Sequence, residues 1–113
     1  ILGLNDIFMD YAGGFSANHP IHNRLANLKT GDPVAFASGP AGVEILNSDK
    51  CCIGRLAGKT AEIWKQRLGQ SQTVRVVSML SRSKLDPDAT FQGRLKTESW
   101  ELPILEVVSR YGL

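Results

Sequence analysis

A chain of 113 residues makes one domain, large enough to bury a core and too small for an ATP-driven motor or a two-domain enzyme. Its 42% hydrophobic and 21% charged residues are the ordinary balance of a globular protein, and no apolar run approaches the ~18 residues of a membrane span. The net charge of +2 is unevenly spread: residues 1–50 carry three Lys or Arg against five acids, a balance of −2, and residues 51–113 carry ten against six, a balance of +4. Positive surface is therefore expected from the second half.

The chain opens at Ile1 without an initiator Met, which predicts a piece of a longer protein with an accessory role. Its first residues lack the basic region and apolar run of a secretory signal, so a cytoplasmic setting is expected. Residues 1–20 read as a lead-in. Gly13-Gly14 and Asn18-His19-Pro20 interrupt any period set by Leu4, Ile7, Phe8 and Tyr11, leaving room for a short helix over 4–11 only if it docks. The domain proper is expected over 21–113.

Ile21, Leu25 and Leu28 fit a helical turn, with an approach strand as the alternative, before the turn signal Lys29-Thr30-Gly31-Asp32-Pro33. Strands are predicted over 34–37, 43–46 and 51–56, joined by short turns at 38–42 and 47–50, which makes a meander. Adjacent Cys51 and Cys52 would point to opposite faces of a strand and have no other thiol to pair with, so both are expected to be reduced. Together with His19 and His22 they lack the spaced pairs of a zinc site, and no metal is expected.

The tract from Ile53 to Leu68 reads as a strand turning into the chain's main helix. Gly54, Gly58, Lys59 and Thr60 resemble a phosphate-binding loop, but only Arg55, Leu56 and Ala57 separate the glycines, one residue short of that loop. A loop too short cannot curve its N–H groups around a phosphate, so no nucleotide or other cofactor is expected. Ala57, Ala61, Trp64 and Leu68 fall on one helical stripe ended by Gly69, which assigns Trp64 to the core.

A long strand follows over 73–80, then a polar connection with Arg82, Lys84 and a turn at Asp86-Pro87-Asp88. In the closing stretch, 91–108, the apolar phase slips at Pro103: Trp100, Leu102 and Ile104 share one face, Leu105 and Val107 the other, which predicts a bulge or an edge there. Short strands, one main helix and repeated Gly/Pro turns predict a mainly β, small, partly open β-barrel. No nucleophile motif, no His beside an acid and no paired carboxylates suggest catalysis, so the fragment is not expected to be an enzyme.

Four tracts, taken together over about residues 21–108, resemble the C-terminal accessory domain of bacterial, especially cyanobacterial, RecQ-type DNA helicases. They are Leu28-Lys29-Thr30-Gly31-Asp32-Pro33-Val34, Val43-Glu44-Ile45-Leu46-Asn47, Ile53-Gly54-Arg55-Leu56-Ala57 and Trp100-Glu101-Leu102-Pro103-Ile104-Leu105-Glu106-Val107. The strand, Ile-Gly-x-Leu and helix arrangement is also similar to the HIRAN domain, a small β-barrel of helicase-like DNA-repair proteins associated with single-stranded DNA ends. The resemblance implies an accessory module of an ATP-dependent DNA helicase, whose ATP-binding motor belongs to the rest of the parent chain. On this reading Arg55, Lys59, Arg75, Arg82, Lys84, Arg94 and Lys96 would follow phosphates of single-stranded DNA, and Phe91 or Trp100, if exposed, would stack on a base. The competing expectation is a protein-interaction module that docks on the helicase core or on a DNA-repair partner through a strand edge.

Overall fold

The computed structural model describes residues 2–3, 6–40, 42–68, 72–86 and 93–109. The first helix, α1 (Pro20–Ala26), starts where Pro20 supplies a preset φ and His19 Nδ1 accepts the N–H of Ile21 at 3.1 Å. Ile21 and Leu25, four apart and so on one face, are buried. The next turn is fixed by Asp32, whose carboxylate accepts the Lys29 N–H at 2.9 Å, and by Gly31 at φ +94°, a conformation that favours glycine.

Strands β1 (Pro33–Gly39), β2 (Gly42–Leu46) and β3 (Cys52–Arg55) form the expected antiparallel meander. Their alternation puts Val34, Val43 and Ile45 inward. Between β2 and β3 the Asn47 side-chain oxygen accepts the N–H groups of Asp49 and Cys51, which closes the turn. Cys51 and Cys52 are both free thiols.

After α2 (Gly58–Lys65), strands β4 (Gln72–Ser83) and β5 (Ser99–Ser109) make a long antiparallel ladder, and the sheet order is β3-β2-β1-β4-β5. β4 joins the meander through Pro33↔Arg75 and Val34↔Val74. The phase slip in the last strand has its counterpart in β4. Val76 pairs with Leu105 and Ser78 with Ile104, so Val77 is the extra residue, and Pro103 lies opposite Met79 just past this bulge. Both faces of β5 are consequently used, with Leu105 and Pro103 buried from one side and Trp100 and Leu102 from the other.

The sheet is not closed into a barrel: β3 and β5 do not pair. Their outer edges are instead touched by the lead-in, through bridges Leu2↔Leu105 and Ile7↔Leu56. A flat sheet would set these two positions about six strand spacings apart, ~29 Å, whereas five residue steps reach at most ~18 Å, so the sheet must curl. The lead-in also supplies Ile7 and Ala12 to the core, where they join Ile21, Leu25, Val34, Val43, Ile45, Ile53, Leu56, Val74, Val76, Leu95, Trp100, Leu102 and Leu105. In place of the short helix expected over 4–11, the described part of that stretch is turns and a bridge, followed by a 3-10 turn at Ala12–Gly14.

Helix α2 lies on this core as an outer layer, with none of its residues fully buried. Ala61, Trp64 and Leu68 face the core as their spacing predicts. Trp64, assigned to the core from sequence, is half-buried and packs on Phe36 with ring centroids 5.6 Å apart, while the Arg67 guanidinium lies over its ring at 5.4 Å from the centroid. The helix ends earlier than its stripe predicts, at Lys65 with Gln66 as C-cap and 66–68 in a turn, so Gly69, which lies outside the described residues, does not end it.

Candidate functional site

Residues 6–15 leave the edge of β3 and form one wall of a cleft. Their first fasteners are backbone bonds: Ala57 N–H donates to Asp6 O at 2.8 Å and Phe8 N–H to Arg55 O at 2.9 Å. The Asp6 carboxylate accepts the Thr60 hydroxyl at 2.5 Å and the Gly3 N–H at 3.0 Å. These bonds, Thr60 first, favour the ionised form and hold its pKa below the usual aspartate value.

Farther along, Trp100 Nε1 donates to Met9 O at 2.8 Å, and Arg82 Nε lies 2.9 Å from Asp10 Oδ1. Lys96 N–H donates to Gly13 O at 2.8 Å. The chain at Gly13 runs so close to the core that a Cβ there would sit 2.8 Å from Leu95 and 2.9 Å from the Trp100 ring, so only glycine fits without displacement.

The cleft between this wall, the end of β3 and the segment before β5 encloses about 700 Å³. Phe8, Tyr11 and Phe15 supply its aromatic lining, and Arg55, Arg94 and Asp10 its charges. The Arg55 guanidinium sits 4.2 Å from the centroid of the Phe8 ring, a cation–π contact. Tyr11 and Phe15 meet at 5.3 Å between centroids, and Phe15 continues onto the His19 ring at 4.4 Å. The Tyr11 hydroxyl lies 3.3 Å from Cys52 Sγ, and burial together with that contact pushes the phenol up to about 12. A wall of aromatic faces beside guanidinium groups suits a flat, anionic ligand.

Of the residues expected to meet nucleic acid, Arg55 and Arg94 therefore share one cleft. Lys84 and Lys96 line a smaller hollow that adjoins it at Leu95. Lys59 is exposed in the first turn of α2. Arg75 is far along β4, paired with Glu106 at 2.9 Å, and Arg82 is engaged by Asp10 rather than open to solvent. Trp100, expected to stack on a base if exposed, is only 3% exposed, because residues 9–13 cover its face and Met9 takes its N–H. It is a core residue. Phe91 lies outside the described residues.

The three aromatic residues that do line the cleft escaped the sequence reading. Phe8, Tyr11 and Phe15 are spaced three and four apart, as on one helix face, but Gly13-Gly14 interrupt that period, and the other visible signal was density, three of the chain's eight Phe, Tyr and Trp residues within eight positions.

The loop that resembles a phosphate binder is spent on the fold. Gly54 and Arg55 belong to β3, and the N–H groups of Leu56 and Ala57 donate to Val43 O and Asp6 O. His19 caps α1 and His22 Nε2 lies 3.2 Å from Phe15 O. Among the described residues no group of three or more His, Cys, Asp or Glu could hold a metal ion, and no helix is long and apolar enough to cross a membrane.

No family model matches the chain, and it matches neither a curated protein nor a solved structure. What fold and cleft define is a mainly β domain with an aromatic cleft flanked by arginines.

Proposed function

We propose that this chain is the accessory, C-terminal module of an ATP-dependent DNA helicase and binds single-stranded DNA in the cleft of Phe8, Tyr11, Phe15, Arg55 and Arg94. The observation that carries this reading is the joint presence of aromatic faces and two arginines on one concave surface of about 700 Å³. Unpaired bases stack on such faces without regard to sequence, and arginines take the phosphates that follow. Lys59, Lys84 and Lys96 add positive charge nearby, whereas Arg75, paired with Glu106, is left out of the contact set. A cytoplasmic setting goes with this reading, in keeping with two free thiols.

The test is fluorescence anisotropy with a short labelled single-stranded oligonucleotide at two salt concentrations. We expect weak binding, micromolar or weaker, with log K falling by about 0.7 per phosphate contact for each tenfold rise in salt. Arg94→Ala should reduce that slope by roughly one contact, since its side chain is exposed. Phe8→Ala should weaken binding by about 1–3 kcal/mol at unchanged slope, the stacking share of one base. Absence of binding at low salt, or binding indifferent to salt, would overturn the proposal in favour of docking on the helicase core or a repair partner.

A further inference from the structure

The cleft proposed for single-stranded DNA has one acid in its lining, Asp10, among the rings of Phe8, Tyr11 and Phe15. We infer that the Asp10 carboxylate reads the Watson–Crick edge of a base stacked there and selects guanine, whose N1–H and N2 amino group present two donors side by side. The inference rests on the nucleic-acid reading of the cleft and adds a choice of base, where stacking alone makes none.

Three observations carry it. Phe8 and Tyr11 flank Asp10 in the chain and line the same cleft, which puts stacking faces and an acceptor on one wall. A carboxylate repels phosphate, so what it accepts from in a bound strand is a neutral donor, and within DNA those donors belong to the bases. Second, Arg82 does not exhaust the carboxylate. The ion pair runs from Arg82 Nε to Asp10 Oδ1 at 2.9 Å, and the Asp10 side chain keeps 22% of its surface exposed. Two carboxylate oxygens hold about four lone-pair sites, more than one N–H can fill. Third, the acceptor is held in place. Met9 O, one residue earlier, takes the Trp100 Nε1–H at 2.8 Å, and Arg82 sits in β4 opposite Trp100, so both backbone and side chain are anchored to the ladder. Such fixing is what reading a base edge demands, since a hydrogen bond weakens steeply when misaligned. Guanine alone among the four bases sets two adjacent donors against two oxygens. Adenine and cytosine place a ring acceptor beside the amino group, and thymine flanks its N3–H with carbonyls.

Labelled DNA pentamers TTGTT, TTATT and TTITT, compared by fluorescence anisotropy, test the choice. Adenine supplies a purine stacking face, and the hypoxanthine of TTITT lacks only the N2 amino group of guanine. The parent should bind TTGTT about tenfold more tightly than TTATT, with TTITT between them. In Asp10→Asn, whose amide offers one acceptor and one donor and suits adenine, that ratio should fall to about one. Circular dichroism checks that the variant keeps its fold; should it unfold, the hypoxanthine comparison in the parent decides. Equal affinity for TTGTT and TTATT, TTITT bound as tightly as TTGTT, or a tenfold ratio that survives Asp10→Asn would overturn the selection while leaving the cleft reading intact. A parent that binds none of the three at low salt would overturn the cleft reading itself, and the selection with it.

Discussion

The two ends of the β4–β5 ladder are built from the same strands with the same antiparallel pairing, yet they are covered by different things. At the end that begins with Gln72, Val74 and Val76 pack with Leu105 and Val107 on the meander, and the opposite face carries Arg75–Glu106 in solvent, with side chains 55% and 31% exposed. Past the Val77 bulge the covering comes from residues 9–13 and from α1. Trp100 is buried there, and the Arg82–Asp10 pair is only 19% and 22% exposed. Both ion pairs measure 2.9 Å. Equal geometry does not mean equal worth: an exposed pair exchanges water for a partner at little gain, whereas a sheltered one, once broken, strands a charge.

The largest effect should come from Trp100→Ala at the sheltered end. Loss of a buried indole and its bond to Met9 O is expected to cost on the order of 3–5 kcal/mol in urea unfolding; a variant with the parent's midpoint would mean that residues 9–13 are a loose cover. Next in size, Arg82→Ala should cost about 1–3 kcal/mol, because Asp10 keeps its sheltered position without a partner. Its counterpart Arg75→Ala should stay within about 0.2–1 kcal/mol, and equal losses in the two variants would erase the contrast.

The smallest effect concerns the fastening of the lead-in to α2. Asp6 has its pKa depressed in the folded state, chiefly by the Thr60 hydroxyl. Its contribution to stability is therefore complete above the unfolded aspartate value of about 3.9 and disappears as pH falls through the lower folded value. Thermal melts taken below about pH 4 should show a shallower acid loss in Thr60→Ala than in the parent. Parallel acid profiles would show that this bond is not coupled to folding.

The same contrast explains what could be read from the residues alone. The meander was legible because its signals are local: alternating Val and Ile, Gly31 at a positive φ, and an Asn47 that caps its own turn. The stripe of α2 was legible through its spacing. The sheltered end of the ladder was not, since it depends on contacts such as Met9–Trp100 and Asp10–Arg82, which join residues 91 and 72 positions apart and leave no period. That is why the two tryptophans changed places, Trp64 at the rim of the core and Trp100 inside it. Arg55 and Arg94 could be nominated from charge, but the helical spacing of Phe8, Tyr11 and Phe15 belongs to a segment that forms turns and no α-helix, so it does not announce that they will face those arginines. The barrel was half legible, because the turns predict a curled sheet while its closure depends on what meets β3 and β5 at their edges.

Those edges have a consequence for the behaviour of many copies at once. An open sheet offers its outermost backbone to any passing extended chain, the usual start of cross-β aggregation. Here Leu2 exchanges both backbone bonds with Leu105 in the middle of β5, and residues 6–8 take up the backbone where the short β3 ends. An intruding strand must first evict a segment that is also bonded to the core. The lead-in is thus a guard against self-templating, and detaching it would release two sticky margins together.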